Sequence, residues 1–206
     1  LGLPTYPQLL QRAGVRTCGI GKFHHECHGR SAYNDVRKYG FDAAQTTEDI
    51  RAGEWLDWVE RTWPEHYDRA LSTCWPMPHL KEYGPDRRDL IAAIRAAADR
   101  HPRATRTLLT YPSVVPEEAC QTQWIGNEAV SFLAGCDPAA PFYLQVSFVD
   151  PHDPYDPPER FLERIDPDRV PAPVRSGDPA LHQALRRFDA VPFLRAATAL
   201  RDEDWC

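Results

Sequence analysis

Two apolar runs, Val15 to Ile20 and Phe142 to Val149, constrain this chain more than any other feature. Each is short enough to be a buried strand, and each ends in a loop crowded with ionisable groups. The first runs straight into Gly21-Lys22-Phe23-His24, the second into Pro151-His152-Asp153-Pro154. Strands of this kind set between helical stretches predict an α/β domain, and in open α/β sheets ligands bind beyond the carboxyl ends of the strands. A cation and two imidazoles delivered there from distant segments predict a single anion-binding site made by Lys22, His24 and His152. Composition sharpens the choice of Lys22, because 21 Arg and only three Lys supply the basic charge.

The 206 residues are enough for one large domain or two small ones. A net charge of −6 without a continuous basic stripe argues against a nucleic-acid surface. No apolar run approaches the roughly 18 residues of a membrane span. Six cysteines without a regular framework are expected to be free thiols in a reducing, cytoplasmic setting.

Around the two strands the pattern is helical. Pro7 to Ala13 predicts a short helix with Leu9 and Leu10 turned inward and Gly14 as its stop. Tyr39-Gly40-Phe41-Asp42 predicts a turn with one anchoring aromatic. Thr46 to Glu60 predicts a helix opened by a Thr46–Asp49 capping box. Residues 62 to 86, punctuated by prolines, predict an ordered insertion loop, and Asp89 to Arg100 an alanine-rich helix. A long helix is expected from Pro116 to about Gly135, with Cys120, Trp124, Ile125, Ala129, Phe132 and Leu133 on its apolar face. A further helix is expected from about Asp178.

Several landmarks occur in an order that resembles the sulfatase family of the alkaline-phosphatase-like superfamily. They are Leu9-Leu10-x-x-Ala13-Gly14-Val15-x-Thr17, Gly19-Ile20-Gly21-Lys22-Phe23-His24, Tyr39-Gly40-Phe41-Asp42, Gln121-Thr-Gln-Trp124, Pro141-Phe142, and Ser147-Phe148-x-x-Pro151-His152-x-Pro154. The likeness is greatest to the arylsulfatase, choline-sulfatase and phosphonate monoester hydrolase branch. It implies the central portion of an alkaline-phosphatase-like α/β fold, a mixed sheet flanked by helices. It also implies a sulfuric ester hydrolase that uses a formylglycine nucleophile and a divalent metal, usually calcium. Lys22 would contact the sulfate and the formylglycine diol, His24 would bond the diol, and His152 would bind the ester oxygen and help the leaving group depart.

The family's C/S-x-P/A-x-R nucleophile motif and its Asp-His-Gly segment are missing from the sequence. Cys74-Trp75-Pro76-Met77-Pro78 imitates only half of the former, and on the wrong side of Lys22. Residues 1–206 are therefore expected to be a partial catalytic domain without nucleophile or metal ligands, inactive by itself. Sulfate and phosphonate or phosphodiester esters make similar demands on a cation and imidazoles, so either class of small-molecule ester fits, as does an inactive remnant that still binds anions. A zinc-binding module around His24-His25-x-Cys27-His28 is a further reading, opposed by the difficulty of wrapping a tetrahedron with one dense clump. Asp150, Asp153 and Asp156 alternate as calcium ligands do but lack the glycine and terminal glutamate of a calcium loop.

Overall fold

The computed structural model describes residues 2–25, 31–102 and 110–171. Three parallel strands form its sheet: β1 (Arg16–Gly21), β2 (Ala43–Thr46) and β3 (Phe142–Ser147), in the order β2-β1-β3. β1 is the central strand, and its register runs from Cys18 opposite Ala43 to Gly21 opposite Thr46 on one side. On the other side, Arg16 faces Phe142 and Gly21 faces Ser147. The described strands all run the same way, so the mixed character expected of the sheet is not seen among them.

Helices carry the chain between the strands. α1 (Tyr6–Arg12) begins with a capping box in which Thr5 and Gln8 exchange backbone and side-chain bonds. α2 (Glu54–Thr62), α3 (Tyr67–Ser72), α4 (Ile91–Arg100) and α5 (Gln121–Ala134) make up the rest of this unit. Its main core joins Ile20 of β1 to Trp55, Leu56 and Val59 of α2, Ile94 of α4, and Trp124 and Ile125 of α5. Trp55 is 1% exposed and donates its indole N–H to the carbonyl of Ala119 at 3.0 Å, tying α2 to the turn before α5. A smaller cluster of Phe23, Val36 and Phe41 lies apart from it.

Four sequence expectations are corrected. Thr46 ends a strand and does not open a helix, because its backbone continues the parallel ladder opposite Gly21 and its hydroxyl donates to Asn34 O at 2.9 Å. Thr47 to Gly53 is then a buried loop, and the helix starts only at Glu54. The stretch 62–86 is no plain loop, since it contains α3 and short 3-10 turns at Pro64–His66 and Pro78–Glu82. The long helix from Pro116 is broken at Cys120, which is extended and caps α5 through its sulfur. Leu9 and Leu133 are about half exposed, because α1 buries Pro7 and α5 buries the Trp124–Ile125 edge instead.

Among the described residues, 110–112 and 153–171 belong to a second compact unit, within which Tyr111 N donates to Tyr155 O at 3.1 Å and α6 (Glu159–Leu162) is a single turn. The helix expected near Asp178 lies outside the described residues, as does Trp205. Among the described residues no helix is long and apolar enough to cross a membrane.

Candidate functional site

All three strands point their carboxyl ends to one edge of the sheet, and the loops leaving that edge carry the ionisable groups. β1 leads to Lys22 and His24, β2 to Glu48 and Asp49, and β3 to His152. Gly21 makes the first of these loops possible. It sits at φ +99°, and a Cβ there would lie 1.9 Å from the carbonyl oxygen of Ser147. That close approach lets Ser147 O accept the Lys22 N–H at 2.8 Å, while Gly21 O accepts from Thr47 N at 3.1 Å. The ends of all three strands are thereby pinned together immediately before Lys22.

Phe23 then fixes where its neighbours point. Its ring is buried against Phe41, with centroids 5.2 Å apart and edge-on. On either side of it, Lys22 and His24 turn instead toward Asp49 and Glu48. His24 adopts φ +50°, a left-handed conformation that costs a non-glycine residue energy and concentrates at functional sites.

The loop after β2 supplies what holds that turn. Glu48, 6% exposed, accepts through Oε1 from Phe23 N at 3.3 Å, His24 N at 2.8 Å and Asn34 Nδ2 at 2.9 Å. Its other oxygen lies 3.6 Å from His24 Nδ1. Asp49, 2% exposed, places Oδ2 3.1 Å from His152 Nε2 and 3.9 Å from Lys22 Nζ. Two carboxylates buried this deeply are tolerable only where opposing charge and N–H donors surround them. α5 supports the loop from behind, Gln121 Nε2 donating to Glu48 O at 2.9 Å. The same helix braces the third loop, where the Thr122 hydroxyl bonds the Asp150 carboxylate.

Lys22, His24 and His152 therefore gather around one pair of carboxylates. The side chains of Lys22, His152 and His24 are 17%, 34% and 49% exposed, whereas those of Asp49 and Glu48 are 2% and 8% exposed. Donors face the solvent and acceptors lie beneath them. Glu48, Asp49 and Asn34 were not found from sequence; the signal for the two carboxylates is a Thr-Thr-Glu-Asp run that suits a strand end better than a helix start, and Asn34 has none. His25 packs its ring on Tyr39, at 4.8 Å between centroids. Cys27 and His28 of the zinc reading lie outside the described residues. Trp75, a candidate for lining a substrate pocket, packs on the main core and donates its N–H to Ile50 O at 3.0 Å.

His24, Glu48 and Asp49 are the kinds of residue that ligate metals, and their donor atoms lie within 4.8 Å of one another. They do not fit calcium, which takes six to eight oxygen ligands. Glu48 Oε1 already serves three N–H donors, and an ammonium already stands at Asp49. Cys74 does not fit a nucleophile precursor. It is buried, its thiol contacts Arg51 O at 3.1 Å, and burial pushes its pKa up to about 12, so it faces the core and not the sheet edge that carries Lys22 and the histidines.

Comparison with known proteins bears on the family. The chain is similar to an arylsulfatase of Clostridium perfringens, 42% identical over 53 residues that make up 26% of this chain and 11% of that protein. The matched stretch thus spans about a tenth of the relative. A family model described as Sulfatase matches residues 1–172, which include every strand and every residue of the cluster described above. With its strands, its Gly-Lys-x-His turn and its Pro-His loop all inside that match, the chain belongs to the sulfatase family.

Proposed function

We propose that the protein hydrolyses a sulfate monoester and that Lys22, His24 and His152 form the face that receives the sulfate group. One observation carries this reading: these groups leave two different strands yet meet at one sheet edge, Lys22 and His152 above Asp49 and His24 above the adjacent Glu48. Cleaving a sulfate ester builds negative charge on the equatorial and leaving oxygens. A fixed ammonium and fixed imidazoles stabilise that charge more in the transition state than in the ground state. Lys22 offers three N–H donors, of which Asp49 takes one direction, leaving others for sulfate oxygens. His152 is the proton donor to the departing alkoxide, and His24 orients the attacking group.

Family membership further implies a formylglycine nucleophile and a divalent metal, calcium by resemblance. The described residues fit neither, so no step is assigned through them. This chain alone is expected to bind the sulfate group without turning it over. The partner is a small-molecule ester, sulfate in preference to phosphonate or phosphodiester.

Two measurements test the proposal. Inorganic sulfate titrated into the chain should shift the imidazole resonances of both His24 and His152. Where a nucleophile and a metal are supplied, p-nitrophenyl sulfate should be hydrolysed faster than bis-p-nitrophenyl phosphate. Lys22→Ala and His152→Ala should each lower kcat/KM for the sulfate ester by roughly a hundredfold or more. Preferential cleavage of the phosphodiester would move the protein to the phosphonate and phosphodiester branch.

A further inference from the structure

The carboxylates beneath the site have a geometry that a merely structural pair would not need. Asp49 Oδ2 stands within 4 Å of both Lys22 Nζ and His152 Nε2, although those residues arrive from opposite flanks of the sequence. Glu48, its neighbour, collects the backbone N–H groups of residues 23 and 24 on one oxygen and faces the His24 ring with the other. Both carboxylates are more deeply buried than the groups they touch. An incoming oxyanion therefore meets the ammonium and imidazoles first and the carboxylates only through them.

We infer that Glu48 and Asp49 are positioning residues for sulfate recognition. Asp49 locks Lys22 and His152 at one spacing so that they act on the same anion as a unit, and Glu48 holds His24 in its left-handed turn. This inference rests on the sulfate-binding reading above and adds to it the residues that set the geometry. One oxygen sets the spacing: Asp49 Oδ2 has His152 Nε2 at 3.1 Å and Lys22 Nζ in ion-pair range at 3.9 Å, so a single carboxylate constrains both the ring and the ammonium.

A purely electrostatic role gives a different outcome, and the two are separable. A buried negative charge beneath an anion site disfavours the anion, so neutralising it without loss of geometry would tighten sulfate binding by the same factor whatever else is mutated. Positioning instead predicts coupling. Inorganic sulfate affinity is measured by calorimetry for the wild-type chain, Lys22→Ala, His152→Ala and the double variant, and the cycle is then repeated in the Asp49→Asn background. The expected result is non-additivity of about fivefold or more with Asp49 present and near-additivity with Asn in its place. Equal coupling in both backgrounds overturns the inference.

Glu48→Ala, which removes the acceptor of the Phe23 and His24 N–H groups, is the second arm: it should halve or abolish the sulfate-induced shift of the His24 imidazole while leaving that of His152 in place. Unchanged behaviour of His24 refutes the role of Glu48. Should Asp49→Asn not fold, the wild-type Asp49 carboxyl carbon resonance gives the answer, because the shared contact requires it to move in Lys22→Ala and in His152→Ala alike. Movement in only one of them overturns the inference. Failure of the wild-type chain to bind sulfate at millimolar concentration would overturn the sulfate reading instead, leaving the carboxyl resonance to decide the Asp49 contact independently.

Discussion

Gly21 shows how much one residue decides at this site. Two effects coincide there: a left-handed φ of +99°, and a Ser147 carbonyl oxygen 1.9 Å from where a Cβ would stand. The clashing atom belongs to backbone that is itself paired to Lys22 N, so it cannot swing aside as a flexible side chain would. Gly21→Ala should cost on the order of 3 kcal/mol or more in urea unfolding and should speed amide exchange at Lys22. Gly14→Ala is the control, since Gly14 has φ +78° but nothing within 4 Å of its would-be Cβ. Only about 1 kcal/mol of backbone strain should be lost there. Equal costs at the two positions would refute the crowding at Ser147. From sequence, Lys22, His24 and His152 could be singled out because each follows an apolar run, which is a local pattern. Asp49 and Glu48 could not, because burial of a charged pair depends on donors brought from residues 22, 34 and 152.

At the scale of elements, the legible parts were those with dense periodic signals. β1 and β3 are apolar runs, and α5 shows recurrent helical spacing at Trp124, Ile125 and Phe132. β2 is only Ala43-Ala44-Gln45-Thr46, four residues without a large apolar side chain. Its strand character comes from pairing with β1 and is not encoded locally. The join between β2 and α2 carries a pH dependence. Glu54, in the first turn of α2, accepts the Thr46 N–H at 2.9 Å, yet burial raises its pKa to about 7 from an ordinary 4.5. The folded protein thus holds a proton here that the unfolded chain releases between those values. Stability from this group is fully present below about pH 4.5 and is lost as pH rises through 7. Between pH 5 and pH 8 the loss should be on the order of 2–3 kcal/mol. Glu54→Gln keeps the acceptor and removes the charge, so urea midpoints should favour the variant at pH 8 far more than at pH 5. A constant difference between variant and wild type across that range would show that burial of Glu54 is not the cause.

For the whole molecule, the edge that gathers Lys22, His24 and His152 draws on segments distant in sequence. A ligand that bridges Lys22, His24 and His152 should therefore stabilise the fold as well as occupy the site. Sulfate at a hundred times its dissociation constant should add about 2.7 kcal/mol to unfolding free energy, and the gain should vanish in Lys22→Ala. A rise of equal size in Lys22→Ala would mark the effect as the general salting-out action of sulfate. The order of the landmarks along the chain made the family legible, whereas the spatial order β2-β1-β3 depended on long-range pairing that no single segment records.

The pairing of β1 with β3 has a consequence for biosynthesis. β1 and β3 are separated by all the helices α2 to α5, and contacts of such long sequence separation are slow to form because chain closure precedes any reward. On the ribosome, the segment bearing Lys22 emerges early and waits, its ammonium without the imidazole of His152 beside it. The Lys22–Asp49–His152 grouping thus arrives whole only with β3, and a polypeptide stalled after α5 would carry the ammonium and the carboxylate without the imidazole.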